Sequence, residues 1–246
     1  MHRHKGTGQI SGPYNFPMRG AWYDFVRWFV RNTFFRLTGG LKGVGRENVP
    51  TQGGVIIAPL HVSNLDPPAV ACTCPRRLNF MAKEELFKVP VLGRIIRSLD
   101  AFPVKRGEGD TEALRHTISQ LEAGKTVLVF PEGTRGDGVS IQPVNRGVTM
   151  LARRTGATVV PVGIIGTHKV LPKGQSRWKR HKITVAFGRP FKYQDITAAN
   201  EREAREVFAN ELQARILEVC RANGLDLKTA PSNLRSEESA PAETPA

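Results

Sequence analysis

Short apolar runs with β character alternate with helical patterns along most of this chain, and this alternation constrains its fold more than any other feature. Six runs rich in Val, Ile, Leu, Phe and Ala predict strands, at residues 55–59, 78–82, 102–104, 126–130, 158–165 and 183–187. Helices are predicted between or after them, at residues 91–99, 110–122, 144–155 and 199–222. Strands that alternate with helices predict an α/β fold, with a mixed, largely parallel sheet flanked by helices.

The length of 246 residues suffices for one sizeable domain around a single core. The three cysteines, an odd number, do not suggest a disulfide framework and favour a reducing compartment. Cys72 and Cys74 form one close pair, but no second Cys/His pair lies at ligand spacing, so no metal is expected. No run is long enough to span a bilayer, and residues 1–17 lack the apolar core of a signal peptide.

Residues 21–37 predict an amphipathic helix that ends at a pair of glycines, 39–40. Its side chains are mostly bulky and apolar, apart from a polar stripe that contains Arg27, Arg31 and Arg36. Interfacial Trp side chains and Arg on lipid phosphates suit a helix that lies in the headgroup region of a membrane. The alternative is a helix that packs its aromatic face on the domain core.

The chain is therefore expected to consist of four segments. A flexible arm rich in Gly, Pro and His occupies residues 1–18, and the membrane-associating helix occupies residues 19–40. The α/β domain covers residues 41–226, and residues 227–246 form a disordered tail, because Ser, Glu, Pro and Ala cannot bury enough surface to fold. The formal net charge of +14 would attract nucleic acid, anionic lipid or an acidic protein, and charge alone does not choose among them.

The first candidate site follows the strand at 55–59 and contains His61 and Asp66. In an α/β sheet, functional residues gather where strands end and loops begin. A continuous helix would hold these two side chains roughly 140° apart, whereas a loop that turns into a helix lets Asp66 reach the imidazole. A carboxylate on one ring nitrogen fixes the tautomer, and the other nitrogen can then take a proton from a substrate hydroxyl. A helix cap beside an ordinary surface histidine is the alternative.

Two further strands end in cations. The strand at 126–130 leads into Pro131-Glu132-Gly133-Thr134-Arg135, where glycine permits close backbone approach to a ligand and Arg offers a planar fork for a phosphate. The strand at 102–104 leads into Lys105-Arg106, whose charges would add to an anion site. Turns with solvated cations are the alternative at both places.

Together these segments resemble the lysophosphatidic acid acyltransferases, also called 1-acyl-glycerol-3-phosphate acyltransferases, among the glycerolipid acyltransferases. His61-Val62-Ser63-Asn64-Leu65-Asp66 matches the first family block, H-x-S-x-x-D, and residues 130–135 match the third block in full. Val104-Lys105-Arg106 falls on the second block, and residues 160–163 resemble the fourth, an apolar strand with an internal proline. The blocks agree in order and spacing from about residue 40 to residue 190.

The resemblance implies that His61 is the general base on the free hydroxyl of a lysophospholipid and that Asp66 orients it. The hydroxyl would attack an acyl thioester, carried by coenzyme A or by acyl-carrier protein, with no acyl-enzyme and no cofactor. Arg106 and Arg135 would hold the acceptor phosphate, and Glu132 is expected to position its loop through hydrogen bonds. The residues assigned to the substrate site are Ser63, Lys83, Arg106, Glu132, Gly133, Thr134 and Arg135.

The leading expectation is acyl transfer to 1-acyl-glycerol-3-phosphate, which gives phosphatidic acid for phospholipid synthesis. The protein would be peripheral or monotopic on the cytoplasmic face of the inner or plasma membrane. Leu60 and Lys105 depart from the usual family residues, which are polar and acidic respectively, and this leaves the acceptor open. Alternatives are another lysophospholipid, a lyso-ornithine lipid or a glycan-lipid, or a basic module that binds membrane or nucleic acid. No known nucleic-acid motif is present, and part of the positive surface also suits an acidic acyl-carrier protein.

Overall fold

The structure, a computed structural model, describes residues 20–90, 92–104, 111–175 and 177–230. The strands within these ranges are β1 (Leu41–Val44), β2 (Val55–Pro59), β3 (Leu78–Lys83), β4 (Ala101–Val104), β5 (Thr126–Leu128), β6 (Ser140–Ile141), β7 (Thr158–Ile165), β8 (Ile183–Phe187) and β9 (Lys228–Thr229). The helices are α1 (Gly20–Asn32), α2 (Phe34–Leu37), α3 (Asp66–Thr73), α4 (Glu84–Lys88), α5 (Leu92–Ser98), α6 (Thr111–Glu122), α7 (Arg146–Thr155), α8 (Thr167–Val170) and α9 (Glu201–Ala222).

Seven strands form one sheet in the order β1-β8-β7-β2-β5-β3-β4. The five strands β7, β2, β5, β3 and β4 are mutually parallel. Strand β8 is antiparallel to β7, and β1 lies at the edge, parallel to β8. This arrangement confirms the predicted mixed, largely parallel sheet.

Helices cover the sheet on both faces because the central strands are apolar on both sides. Every residue of β2 is buried, and its side chains alternate between two clusters. Val55 and Ile57 pack in a cluster with α1, α3 and α5, while Ile56 and Ala58 pack in a second cluster with α6, α7 and α9. The core is therefore two apolar layers separated by the sheet.

The predicted strands are all present, and those at 55–59, 158–165 and 183–187 have the predicted bounds. The strand predicted at 126–130 ends earlier, at Leu128, because the chain turns there toward the loop that contains Glu132. Strand β1 is not apparent from the sequence, because it is an edge strand in which Lys42 is exposed and Gly43 has no side chain. The predicted helices correspond to α5, α6, α7 and α9.

The helix predicted at 21–37 is bent into α1 and α2, and the hydroxyl of Thr33 donates to the Phe29 carbonyl at the bend. Tyr23 and Val26 are buried on the core, so the packing alternative holds for part of the helix surface. A second apolar stripe remains exposed, and it consists of Trp22, Phe25, Trp28 and Phe29. The helix thus packs on the core with one face and presents an aromatic face to the outside.

Within the described ranges, no helix combines the length and the apolar character needed to cross a membrane. The predicted flexible arm, residues 1–18, lies outside the described residues. The predicted tail begins inside the fold, because Leu227 is buried in the second cluster and β9 pairs with β6. The remainder of that segment, residues 231–246, lies outside the described residues.

Phe208 offers a test of how the long helix α9 is held on the sheet. Its ring is fully buried, with ring centroids 5.3 Å from those of Phe191 and Tyr193. Replacement by Ala should lower the free energy of unfolding by about 3–5 kcal/mol, because the surrounding side chains cannot fully collapse into the cavity that the ring leaves. The neighbouring Val207→Ala, at a 37% exposed position, should change it by no more than about 0.5 kcal/mol. Urea titration of both variants measures the difference, and equal values would contradict this packing.

Candidate active site

The loop that follows β2 brings His61 and Asp66 together. The chain turns at the end of the strand and enters α3, whose first residue is Asp66 and whose first turn contains Pro67. His61 Nδ1 lies 3.0 Å from Asp66 Oδ2. The same oxygen accepts hydrogen bonds from the backbone amides of Val62 and Ser63, each at 2.7 Å. The loop-to-helix turn therefore allows the contact that a continuous helix would prevent.

The contact with Asp66 determines how His61 can act. A carboxylate accepts from Nδ1 only if that nitrogen carries the proton, so Nε2 of the neutral ring is left with a free lone pair. The Phe130 ring stacks on the imidazole with 3.8 Å between ring centroids, which further limits its rotation. The side chain of His61 is 15% exposed, whereas that of Asp66 is 0% exposed. The arrangement suits a proton acceptor whose orienting carboxylate is shielded from water.

Glu132 joins the loop after β5 to the loop after β2. Its Oε1 accepts from the His61 amide at 3.0 Å, and its Oε2 accepts from the Gln142 amide at 3.1 Å. Burial raises the pKa of Glu132, these two amides lower it in part, and the Asp66 carboxylate raises it. The His61 carbonyl in turn accepts from the Gly136 amide at 2.8 Å. Glu132 thus connects the two loops through hydrogen bonds to their backbone amides.

Gly133 lets the loop after β5 pass close to the start of α7. Its φ of 70° lies in the left-handed region, and a Cβ there would stand 2.9 Å from Asn145 Nδ2. The Asn145 side chain caps α7 by accepting from the Gly147 backbone amide. The backbone amide of Asn145 donates to the Pro131 carbonyl at 2.8 Å. Both Gly133 and Thr134 are exposed. The loop is therefore held at Pro131 by a backbone hydrogen bond, while Gly133 and Thr134 face solvent.

Arg135 completes this loop, and it is half-buried. Its carbonyl accepts from Lys173 Nζ at 2.9 Å. Among the described residues, no carboxylate lies within ion-pair distance of its guanidinium. Arg135 is thus a cation beside the His61 loop with its charge available for an anion.

The structure brings together only part of the residue set predicted from the sequence. Arg106 lies outside the described residues, and of Lys83 the structure describes the backbone, which pairs with Val104 at the ends of β3 and β4. Ser63 is fully buried, and its hydroxyl donates to the Leu171 carbonyl at 2.8 Å. The Ser63 side chain therefore links the His61 loop to the residue that follows α8.

Several contacts at the site were not expected from the sequence. They come from backbone groups, namely the amides of Gly136 and Gln142 and the carbonyl of Leu171. Any residue except proline supplies an amide, and every residue supplies a carbonyl, so no residue type marks these positions. Gly136 alone carries a signal, because it follows the third block and a Cβ there would stand 3.2 Å from Glu132 Oε2.

The three cysteines are free and buried. Burial raises the pKa of the Cys72 and Cys220 thiols to about 12, and it also raises that of Cys74. These thiols are therefore protonated at neutral pH and poor nucleophiles. In the part of the chain that the structure describes, no group of three His, Cys, Asp or Glu side chains could hold a metal ion.

Comparison with known proteins gives a consistent result. A family model described as Acyltransferase matches residues 41–165. A 1-acyl-sn-glycerol-3-phosphate acyltransferase of Bacillus subtilis is 29% identical over 184 residues, which cover 74% of this chain and 89% of that protein. The protein of the same name from Streptococcus pneumoniae is 28% identical over 195 residues, or 78% of this chain and 70% of that protein.

A relative with another acceptor and a solved structure complete the comparison. A lyso-ornithine lipid O-acyltransferase of Pseudomonas aeruginosa is 30% identical over 117 residues, which cover 47% of this chain and 45% of that protein. The crystal structure of the 1-acyl-sn-glycerophosphate (LPA) acyltransferase, PlsC, from Thermotoga maritima matches with a TM-score of 0.69 and 28% identity. That match covers 85% of each chain.

Alkylation tests whether the thiols are shielded as the structure indicates. Burial raises the pKa of all three thiols, to about 12 for Cys72 and Cys220, so iodoacetamide should modify none of the three in the folded protein. Mass spectrometry should find all three carboxamidomethylated after unfolding in urea. Alkylation of the native protein at the rate of an exposed cysteine would contradict the burial.

Proposed function

The chain belongs to the Acyltransferase family, and on that premise we propose that it transfers a fatty acyl group from an acyl thioester to the free hydroxyl of 1-acyl-glycerol-3-phosphate. The product is phosphatidic acid, an intermediate of phospholipid synthesis. The observation that carries this proposal is the contact between His61 and the buried Asp66 at the end of β2. The Bacillus subtilis and Streptococcus pneumoniae relatives, which bear the name of this activity, support it.

In the proposed mechanism, His61 Nε2 takes the proton of the acceptor hydroxyl as the oxygen attacks the thioester carbonyl. Asp66 holds the ring in place and stabilises the imidazolium that forms. The tetrahedral intermediate then collapses, the C–S bond breaks, and the imidazolium returns its proton to the thiolate that leaves. Direct attack by the hydroxyl agrees with the burial of Cys72, Cys74 and Cys220.

The acceptor phosphate is proposed to bind Arg135, together with Lys83, the last residue of β3, and Arg106, which follows β4 by two positions in the sequence. A guanidinium binds a phosphate through two parallel hydrogen bonds, and Arg135 has no competing carboxylate among the described residues. Gly133 and Thr134 would line this site through their exposed backbone and hydroxyl. A phosphate held here would fix the glycerol and so present its hydroxyl to the His61 loop.

Ser63 and Glu132 are proposed to act through position rather than through contact with the substrate. The hydroxyl proton of Ser63 is donated to Leu171, and both carboxylate oxygens of Glu132 accept backbone amides. Small displacements of a catalytic group cost large factors in rate, so these contacts matter to turnover even at a distance from the reacting atoms.

A lyso-ornithine lipid is the second candidate acceptor, because a relative of that name is 30% identical over 117 residues. This acceptor also presents a free hydroxyl to be acylated, but it carries no phosphate. Its anionic group is a carboxylate with a single charge, which would attract Arg106 and Arg135 less strongly than the more highly charged phosphate does. The phosphate-bearing acceptor is therefore preferred.

The protein is proposed to work as a peripheral or monotopic enzyme on the cytoplasmic face of the membrane. The exposed aromatic face of α1 supports this, since Trp28 is 61% and Phe29 is 50% exposed, and aromatic rings favour the headgroup region. The donor is proposed to be acyl-coenzyme A or acyl-carrier protein, since both present the same thioester. No further cofactor enters the mechanism.

A panel of lysolipids tests the acceptor. Purified protein with acyl-coenzyme A or acyl-carrier protein should acylate 1-acyl-glycerol-3-phosphate faster than lysophosphatidylcholine or a lyso-ornithine lipid. The rate of phosphatidic acid formation from labelled donor is the measurement. Transfer to the lyso-ornithine lipid alone would favour the second candidate, and the absence of transfer to every glycerol phosphate acceptor would contradict the proposed function.

Asp66→Asn tests the catalytic pair. The amide cannot stabilise the imidazolium and can reverse the tautomer, so kcat should fall roughly 10²–10⁴-fold while the acceptor KM changes little. Asp226→Asn, at an exposed site on the chain, is the matched control and should leave kcat unchanged. Circular dichroism shows whether each variant is folded. A folded Asp66→Asn protein with wild-type kcat would refute the pair.

Arg135→Ala tests the phosphate contact. If the contact is equal in ground and transition states, the acceptor KM should rise roughly 10–100-fold with kcat nearly unchanged. Transfer to monoacylglycerol, which lacks the phosphate, should be insensitive to the substitution. Arg154→Ala, at an exposed arginine on α7, is the control. An unchanged KM for the phosphorylated acceptor would exclude Arg135 from the site.

A further inference from the structure

The positive charge of the chain is concentrated in one stretch. No Asp or Glu occurs between Asp137 and Asp195, whereas eleven Lys and Arg do. Five of these cations lie in the connection between α8 and β8, and they are Lys173, Arg177, Lys179, Arg180 and Lys182. We call residues 171–175 and 177–182 the basic segment. Each of its five cations is exposed, and so is Trp178, at 48%.

The cations of the basic segment have no acidic partner within the described residues. No ion pair joins any of the five to a carboxylate, although the ion pairs of α9 show that other surface arginines are neutralised by neighbours. Unpaired cations close together repel one another and create a positive potential at the surface. Such a surface attracts an anionic partner.

The basic segment is attached to α2, the short helix that follows the exposed aromatic face of α1. The rings of Trp178 and Phe34 pack edge to face, with 6.5 Å between their centroids. The amide of His181 donates to the Thr38 carbonyl at 2.7 Å, directly after α2. Beside this junction, Leu37 is 63% exposed. The cations therefore adjoin apolar surface that the fold leaves uncovered.

The other end of the basic segment is attached to the active site. The Leu171 carbonyl accepts from the Ser63 hydroxyl at 2.8 Å, inside the first block. Lys173 Nζ donates to the Arg135 carbonyl at 2.9 Å, at the end of the third block. One connection thus contacts both loops of the site, α2 and the residue that follows α2.

We propose that the basic segment is a second membrane contact, which binds the phosphates of anionic lipids through its cations and places Trp178 at headgroup level. This proposal rests on the proposed function, and it adds that membrane contact holds the His61 loop at the surface that contains the lysolipid acceptor. Cations beside an exposed tryptophan and an aromatic helix match the composition of a membrane interface. An acidic carrier protein would use the charge but would leave the adjoining aromatic surface uncovered.

Vesicle binding by the full chain tests the proposal without any turnover. Arg177→Gln/Arg180→Gln should partition roughly 30-fold more weakly onto phosphatidylcholine vesicles that contain phosphatidylglycerol, because each cation contributes about 1 kcal/mol at an anionic surface. The matched control is Arg154→Gln/Arg189→Gln, which removes two exposed arginines from the other end of the strands, where β7 begins and β8 ends. The control should bind nearly as the wild type does. Raised salt should remove the difference between the two variants.

Trp178→Ala separates the aromatic contact from the charge. It should weaken binding several-fold to vesicles of phosphatidylcholine alone, and this loss should persist in raised salt, because burial of an aromatic ring is not screened. Binding of Trp178→Ala equal to that of the wild type at every salt concentration would remove the tryptophan from the contact.

The proposal and the proposed function can fail separately. Transfer to a short-chain acceptor dissolved as monomers measures chemistry away from vesicles, and Arg177→Gln/Arg180→Gln should retain the wild-type rate there. If this variant bound phosphatidylglycerol vesicles as the control does, the membrane contact would be refuted whatever the transfer rate. If it also raised the KM for acyl-carrier protein but not for acyl-coenzyme A, the basic segment would be a donor-docking surface instead.

Discussion

The buried carboxylate of Asp66 is the interaction on which the rest of the site depends. An isolated charge in an apolar interior is strongly unfavourable, and here a single oxygen accepts three hydrogen bonds that compensate for it. Two of the donors are consecutive backbone amides and the third is the imidazole of His61. The requirement to satisfy one charge therefore folds the loop and orients the ring at the same time.

Glu132 repeats this principle one strand away. It too is a buried carboxylate satisfied by backbone amides, and one of these belongs to His61 itself. The histidine is thus held at its ring by one acid and at its backbone by another, from loops that follow the neighbouring strands β2 and β5. These two carboxylates fix the position of the His61 ring, and the backbone amides that they bind do not depend on the type of residue that supplies them.

The parts of the fold that could be predicted from the sequence are those marked by an uninterrupted run of apolar residues. Three continuous apolar runs predicted strands with the observed bounds, namely β2, β7 and β8. Strand β1 was not predicted, because an edge strand need not be apolar. Phe130 was assigned to a strand for its apolar character, but it stacks on His61 instead. The contact between His61 and Asp66 could be predicted because both members are side chains in one motif. The Ser63 contact could not be predicted, since its partner is a carbonyl at Leu171, a distant residue that no pattern could mark.

The reversal of β8 has a consequence for what this architecture can vary. A parallel β8 would need a crossover that carries the chain from the carboxyl end of β7 back to the side of the sheet where β7 begins. Because β8 is antiparallel to β7, the connection leads from the end of β7 straight into the start of β8, and both lie at the end of the sheet that carries His61. The number and type of residues in this connection therefore do not affect the hydrogen bonds that join β7 to β8. Substitutions or insertions between its anchored ends, at Leu171 and Lys173 on one side and His181 on the other, would change the surface offered to a partner, while the sheet and the contact between His61 and Asp66 remain as they are.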